Sequence, residues 1–294
     1  MAGGVKSGTL YLVGTPIGNL GDISPRAAKT LAEVDFIAAE DTRVTLRLLN
    51  HLGIKKPLIS YNEYNKTQRG EQILARLLGG EDCALCSDAG MPCVSDPGVE
   101  IIRLLAQNGV TALAVPGPTA AMSALALSGL CAGRFVFEGF LSVKKGSREK
   151  HLSSLKNEER TLIFYEAPHK LTATILDLRR VLGNRRVAVC RELTKLHEEV
   201  LHTTLEDAAA HYTENAPRGE FVLVIEGAPS PPPKALPLEE SLALVRELCV
   251  QGLSLSDAAR EAAKRTGRQK GELYRFAAGE KNSERKELGD VKIE

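Results

Sequence analysis

The chain has 294 residues, enough for two ordinary domains and a small appendage. Hydrophobic residues make up 43% and charged residues 26%, a globular composition, and 38 Lys and Arg offset 37 Asp and Glu to leave a formal charge of +1. That balance excludes an indiscriminate polyanion binder but not a local basic patch, and with no Trp and 4% aromatics a surface of aromatic base-stacking platforms is not expected.

In chain order, short apolar runs at Thr9 to Val13, Val34 to Ala39, Cys83 to Cys86 and Val110 to Val115 each end in a Gly-, Pro- or Asp-rich turn. Helical patterns lie between them, at Pro25 to Ala32, Gln72 to Leu78 and Val99 to Gln107. Apolar strands alternating with helices of about ten residues predict a mainly parallel sheet with both faces covered. After a break near Ser128 to Gly133, strands are expected at Phe135 to Phe140, Thr161 to Tyr165, Val187 to Val189 and Phe221 to Ile225, with a half-exposed antiparallel or edge strand at Glu198 to Thr203. Helices fit Arg148 to Lys156, Lys170 to Leu182 and Leu205 to Tyr212. The resulting division is an α/β domain over 8–128, a second, mixed-sheet α/β domain over 133–228, and a proline-rich linker over 229–237. A basic helical domain over 238–279, with helices at Leu238 to Gln251, Ser256 to Thr266 and Lys270 to Ala278, and a frayed charged tail over 280–294 complete it.

No apolar run reaches about 18 residues, so a transmembrane helix is excluded. Met1 to Gly8 lacks the apolar core of a signal peptide, and six cysteines are too sparse for a disulfide scaffold, so a cytoplasmic protein without membrane contact is expected.

Gly14-Thr-Pro-Ile-Gly18-Asn-Leu-Gly21 follows the first strand, but its spacing satisfies neither the dinucleotide fingerprint nor the Walker lysine motif, and Pro16 removes a backbone donor a phosphate would use. It reads either as close backbone approach to a ligand without phosphate or as a tight turn, with Ser24 as N-cap and Pro25 opening a helix. In Ser87-Asp-Ala-Gly90-Met-Pro-Cys-Val-Ser95-Asp-Pro-Gly98, Asp96 and Pro97 read as the cap and start of the next helix. Asp88 instead sits at a strand's carboxyl end, where open α/β sheets bind ligands. Pro116 to Met122 leads from a third strand into a helix of small residues, which suits either tight packing or close approach to a ligand. Tyr165-Glu-Ala-Pro-His169 and Arg191-Glu-Leu-Thr-Lys195 place charged groups at two further strand ends. The six histidines show no metal-like clustering, Cys83 and Cys86 would face opposite sides of a strand, and no metal is expected. Over 260–275, six cations (Arg260, Lys264, Arg265, Arg268, Lys270 and Arg275) face only Glu261 and Glu272, in a helix–Gly turn–helix layout compatible with either nucleic-acid binding or a solvated face.

GTLYLVGTPIGNLGDIS, AAEDTR, SDAGMPCVSDPG, VPGPTA, FEGFL, YEAPHK, RELTK and RGEFVLVI occur in one order over residues 9 to 227. Together they resemble the tetrapyrrole-methylase-like S-adenosylmethionine-dependent methyltransferases, and within them the branch that methylates the 2′-hydroxyl of a cytidine ribose in 16S ribosomal RNA. The resemblance implies two α/β domains with the cofactor, S-adenosylmethionine, in the cleft between them, a homodimer, and a target in the decoding region of the small ribosomal subunit. It carries cofactor contacts onto Pro16, Ile17, Asp88, Ala89, Gly90, Met91, Thr119, Ala120, Ala167, Phe221 and Val222. Met91 stands where the family usually has Thr, and Lys170 where Arg is common.

A ribose hydroxyl is a poor nucleophile at neutral pH, so deprotonation or hydrogen-bond polarisation should help, with Glu40, Asp41, Glu166, Glu192 and Lys195 as candidates for that role. Arg43 and Arg191 would join the six tail cations on RNA phosphates. Two other readings stay open. A methyltransferase of a corrin or porphyrin precursor would have no need of basic tail helices, and a non-enzymatic, cofactor-sensing RNA-binding protein would have no need of charged strand ends opposite the cofactor loops.

Overall fold

A computed structural model describes residues 7–229 and 235–289. Strands β1 (Leu10–Val13), β2 (Phe36–Ala39), β3 (Leu58–Ser60), β4 (Cys83–Cys86) and β5 (Ala112–Val115) form a sheet in the order β3-β2-β4-β1-β5. Every neighbouring pair is parallel. The intervening helices are α1 (Pro25–Glu33), α2 (Thr42–His51), α3 (Lys66–Leu78) and α4 (Val99–Gln107), followed after β5 by α5 (Ala120–Leu127). Because β2 and β4 are buried along their whole length, successive side chains feed two cores. Phe36, Ala38, Cys83 and Leu85 pack with Ile73 and Leu77 of α3 and Ile101 and Leu105 of α4. Ile37, Ala84 and Cys86 pack with Leu31 of α1 and Leu48 and Leu49 of α2 on the other face. Cys83 and Cys86 therefore do face opposite sides.

The second sheet comprises β6 (Phe135–Phe140), β7 (Thr161–Glu166), β8 (Arg186–Arg191), β9 (Glu199–Thr204) and β10 (Phe221–Ile225), ordered β6-β7-β10-β8-β9. Only β6 and β7 are parallel; the other three pairs are antiparallel, with β9 at the edge. One face carries α6 (Lys145–Ser154), α7 (Pro168–Leu182) and α8 (Leu205–Glu214) over a core of Leu162, Phe164, Val187, Val189, Phe221 and Leu223. The other face, through Ile163, Ala188, Cys190, Val222 and Val224, receives Ala121, Ala124 and Leu125 of α5. The small side chains of α5 allow this close packing, and they tie the end of the first sheet to the middle of the second.

Both sheets belong to one unit that ends at Ala228; a second unit begins at Pro229. In the second unit α9 (Leu238–Val250), α10 (Leu255–Thr266) and α11 (Lys270–Gly289) bury Val245, Leu248, Ala258, Ala259, Ala262 and Leu273 together. Ser254 caps α10 by accepting from the Asp257 amide at 3.2 Å, and Gly267 ends it in the left-handed conformation. Among the described residues no helix is long and apolar enough to cross a membrane.

The chain departs from its sequence-based reading in several places. Strand β3 and helix α2 are additional elements; β3 has only three residues, and α2 begins with β-branched Thr42 and Val44, which weaken its helical pattern. Asp96 does not cap α4: Gly98, at φ +147°, is the N-cap, and Pro97 lies outside the helix. Residues 280–289, expected to fray, continue α11, consistent with their Lys, Arg, Glu and Leu content. The SPPP stretch at 230–233 and residues 290–294 lie outside the described residues.

At the β1 and β5 ends the backbones nearly touch. A Cβ on Gly14 would lie 2.6 Å from the Gly117 nitrogen and one on Gly117 2.7 Å from the Gly14 oxygen, whereas one on Gly146 would meet open space. Gly14→Ala and Gly117→Ala are each expected to cost about 1–3 kcal/mol in urea unfolding, and Gly146→Ala, inside α6, to cost nothing.

Candidate active site at the facing strand ends

Four loops leave the carboxyl ends of β1, β2, β4 and β5 side by side. The first and third are joined by a two-residue bridge: the Thr15 amide donates to the Gly90 carbonyl at 2.9 Å and the Gly90 amide to the Thr15 carbonyl at 3.1 Å. Gly90 holds φ +80° there, with the Ile17 side chain and the Pro118 carbonyl around it. The Met91 sulfur fills the space beside Gly14 that a larger residue at 14 would take. Thr119 caps α5, its hydroxyl accepting from the Met122 amide at 3.1 Å. The result is a surface of backbone and small side chains, without a lysine or arginine among its loop residues 14–18, 87–91 and 116–120.

Beside it lies an acidic group. The Asp41 amide donates to Asp88 at 3.0 Å and the Asp88 amide to Glu40 at 3.2 Å, so each carboxylate fixes the other's loop. Partial burial raises the pKa of Glu40, and the charges of Asp96, Asp88 and Asp41 push it the same way against the lowering bond from Asp88. Asp88 and Asp96 are raised chiefly by burial too, with Ser87 partly offsetting this at Asp96. Asp41 behaves oppositely: its hydrogen bonds from Arg43, the shortest at 2.5 Å, hold it down to about 2.

From the second sheet, Tyr165 reaches this region directly. Its hydroxyl accepts from the Ala121 amide at 3.1 Å in the first turn of α5, and its ring packs edge-on to Phe137 and Phe140. The loop after β8 closes against the first: a Cβ on Gly18 would strike Lys195, Thr194 and Leu193. That loop holds two residues in the left-handed region, Glu192 at φ 51° and Thr194 at φ 66°. Glu192 accepts from Lys195 at 2.8 Å and from the Glu220 amide at 2.9 Å, and the Thr194 hydroxyl oxygen is buried without a hydrogen-bond partner.

Residues far apart in sequence thus meet. Ile17 and Ala120 pack into the same apolar cluster as Val222. Phe221, one position away, points to the opposite face against Tyr212. Glu166 also faces away and is 2% exposed; its carboxylate accepts from the Ala167 amide at 2.9 Å and the Thr174 hydroxyl at 2.6 Å, so it is occupied in holding the start of α7. Lys195 is pulled down by burial, but its bonds to Glu192 and Glu220 outweigh this and raise its pKa, which leaves it a cation rather than a base. The same bond lowers Glu192. Arg191 is paired with Glu199 at 2.9 Å, beside Tyr212, whereas Arg43 is exposed. Asp96, Ser87 and Tyr165 are the additions to the residues expected from sequence. The repeated Ser-Asp of SDAG and SDPG signalled the first, and Tyr165 opens the motif whose next residue, Glu166, drew the attention.

In the helical unit Lys264 and Arg265 share Glu261 at 3.9 and 3.0 Å, Arg260 pairs with Asp257, and all three cations stay exposed. Arg268 is spent on the Leu236 carbonyl and Glu272, each at 2.8 Å, while Lys270 and Arg275 remain exposed on α11.

The family model described as Tetrapyrrole (Corrin/Porphyrin) Methylases matches residues 9–209, and the model described as RsmI C-terminal HTH domain matches residues 236–281. Among curated proteins, Ribosomal RNA small subunit methyltransferase I of Synechocystis sp. is 49% identical over 272 residues, covering 92% of this chain and 97% of that protein. The protein of the same name from Xylella fastidiosa is 44% identical over 91% of this chain and 98% of its own. Among solved structures, the cobalamin biosynthetic enzyme cobalt precorrin-4 methyltransferase superposes with a TM-score of 0.56 at 19% identity, over 74% of this chain and 94% of that one, a likeness of fold.

A carboxyl whose pKa is higher folded than unfolded adds stability at low pH and loses it as pH rises through the folded value. Glu40→Gln is therefore expected to match the parent protein at about pH 4, where Glu40 is protonated, and to exceed it in urea midpoint at about pH 8. A less stable variant at the higher pH would contradict the crowding of charge around Glu40.

Proposed function

Because the chain belongs to the tetrapyrrole (corrin/porphyrin) methylases, a methyltransferase family, we propose that it transfers a methyl group from S-adenosylmethionine to the 2′-hydroxyl of a cytidine ribose in the decoding region of 16S ribosomal RNA. The observation that carries this reading is the span of the similarity: relatives named for small-subunit ribosomal RNA match over nine-tenths of the chain, helical unit included. The reading further places the protein in the cytoplasm, acting as a homodimer on the small ribosomal subunit.

The residues present fit that methyl donor. It carries a sulfonium and an ammonium cation, a carboxylate and an adenosine, but no phosphate, so a backbone-lined floor without basic side chains suits it better than a phosphate cradle. Gly14, Pro16 and Gly90 with Ala89 and Met91 form that floor. Ile17, Ala120 and Val222 supply an apolar wall, Thr119 offers backbone at the start of α5, and Asp88 with its neighbouring carboxylates complements positive charge. The Ala167 amide and carbonyl, by contrast, are already bonded to Glu166 and to the Lys170 amide. When bound, the donor supplies an electrophilic methyl group; the protein's tasks are to align the ribose hydroxyl and to take its proton.

For the second task the candidates are no longer equal. A base works best with a pKa near the operating pH. Asp41 and Glu192 are held low, Lys195 is held protonated, and Glu166 faces away, whereas Glu40 is raised and lies at the carboxyl strand ends. Glu40 is therefore the proton acceptor in this reading, with Asp96 and Asp88 keeping its affinity for the proton up. Exposed Arg43, Arg260, Lys264, Arg265, Lys270 and Arg275 are the cations on which the RNA backbone is positioned. Lys195, Arg191 and Arg268, partly buried and committed to internal partners, contribute less.

Purified protein with labelled S-adenosylmethionine is expected to label small ribosomal subunits that lack the modification, on ribose rather than base. No label on either free 16S rRNA or whole subunits, from folded protein that binds the donor, would overturn the proposal. Glu40→Gln should lower kcat by about a hundredfold or more with little change in donor affinity. Exchanging Lys264 and Arg265 for Gln should weaken RNA binding and reduce the slope of log affinity against log salt by up to about two, leaving donor binding intact.

A further inference from the structure

Phe140 stands out in a chain with seven Phe, six Tyr and no Trp: it ends β6 and the residue is 56% exposed. Its direction is set by a β-bulge. Phe137 pairs with Ile163 and Gly139 with Phe164, so Glu138 has no partner in β7 and the register slips by one. In a regular strand Phe137 and Phe140, three residues apart, would point to opposite faces. The extra residue turns Phe140 onto the face of Phe137, so both rings meet Tyr165, at 4.9 and 5.5 Å between centroids.

The bulge is held from both sides. Glu138 is bound to His151 of α6 at 2.7 Å, and Gly139 adopts φ +63° with the Ser95 hydroxyl against it. Ser95 belongs to the loop that carries Asp96, whose charge is felt at Tyr165. Phe140 is thus one aromatic ring away from the Ala121 amide, and the charge of Asp96 reaches that same ring. An aromatic residue left more than half exposed gains little for folding beyond its edge contact with Tyr165, yet the chain spends a bulge, a left-handed glycine and a part-buried Glu–His contact on aiming it here.

We infer that Phe140 is the stacking platform for a nucleobase of the RNA substrate, the base of the nucleotide whose ribose is methylated or of its immediate neighbour. The inference rests on the RNA methyltransferase reading above. Sequence-specific RNA sites are commonly single-stranded, and an unstacked base regains much of its lost stacking on an aromatic side chain. Such stacking needs a flat π face, which tolerates exchange among aromatic residues but not for an aliphatic side chain of similar bulk. Low aromatic content rules out a row of such platforms and is compatible with a single one.

The test uses the full chain, small ribosomal subunits lacking the modification as RNA probe, and S-adenosylhomocysteine as the probe of the donor site. Phe140→Ala and Phe140→Leu are both expected to lower kcat/KM for subunits by roughly ten- to a hundredfold, mostly through KM, while S-adenosylhomocysteine affinity and the thermal midpoint stay put. Phe140→Tyr should restore activity. A Leu variant as good as the parent protein would reduce Phe140 to an apolar contact and overturn the inference; so would a loss of S-adenosylhomocysteine affinity parallel to the loss on RNA. Should the unaltered protein put no methyl on the subunits, the reading of function falls and takes the platform with it; an active parent with unaffected variants removes the platform alone.

Discussion

The seating of α5 on the second sheet is the contact on which the rest of the structure depends. This helix leaves the edge strand of one sheet and buries Ala121, Ala124 and Leu125 against Ile163, Ala188, Cys190, Val222 and Val224 of the other. Alanine is what allows it: a larger residue at 121 or 124 would push the helix away from a sheet face already filled by β-branched side chains. Because the Ala121 amide is also bonded to the Tyr165 hydroxyl, the spacing between the sheets is set where the helix begins. The loop that introduces the helix is pressed in turn against the β1 loop through Gly14 and Gly117. One packing contact therefore orders strand ends from both sheets.

The two sheets bring different electrostatics to that junction. Strand ends of the first collect Glu40, Asp88 and Asp96, whose partial burial, with repulsion between the charges added to it, favours holding a proton. Strand ends of the second collect charges already neutralised, Lys195 between Glu192 and Glu220 and Arg191 with Glu199. The first arrangement costs stability, and such costs are typical of sites that must exchange protons. The second is an ordinary structural network, although it wears similar residue types. Charge at a strand end is not informative by itself; what distinguishes the two is whether the charge is paired with an opposite one.

Much of this was legible in the sequence, and the rest was not for definite reasons. Among the described residues, apolar runs and their Gly- and Pro-rich ends located nine of the ten strands, since the alternation of buried β-segments and turns is a local signal. The candidate site loops at Pro16, Asp88 and Thr119 were legible as unusual turns at carboxyl strand ends. Facing direction was not. Glu166 and Tyr165 are adjacent in one motif, yet only the tyrosine faces α5, and that parity is set by how β7 pairs with β10. Phe221 and Val222 divide in the same way. The bulge at Glu138 is invisible in FEGFL because a bulge exists only relative to a partner strand. Asp96 looked like a helix cap because Asp-Pro so often precedes a helix, and only the fold shows that α4 starts later, at Val99.

The central claim is that loops from both sheets form one ligand site around the α5 N-terminus. Hydrogen exchange with and without S-adenosylhomocysteine tests it most directly. The account predicts slowed exchange in the peptides spanning 14–18, 87–91, 116–121 and 192–195 together, with the α7–α8 face of the second sheet unchanged. Protection confined to one sheet's loops, or appearing on that α7–α8 face instead, would contradict it.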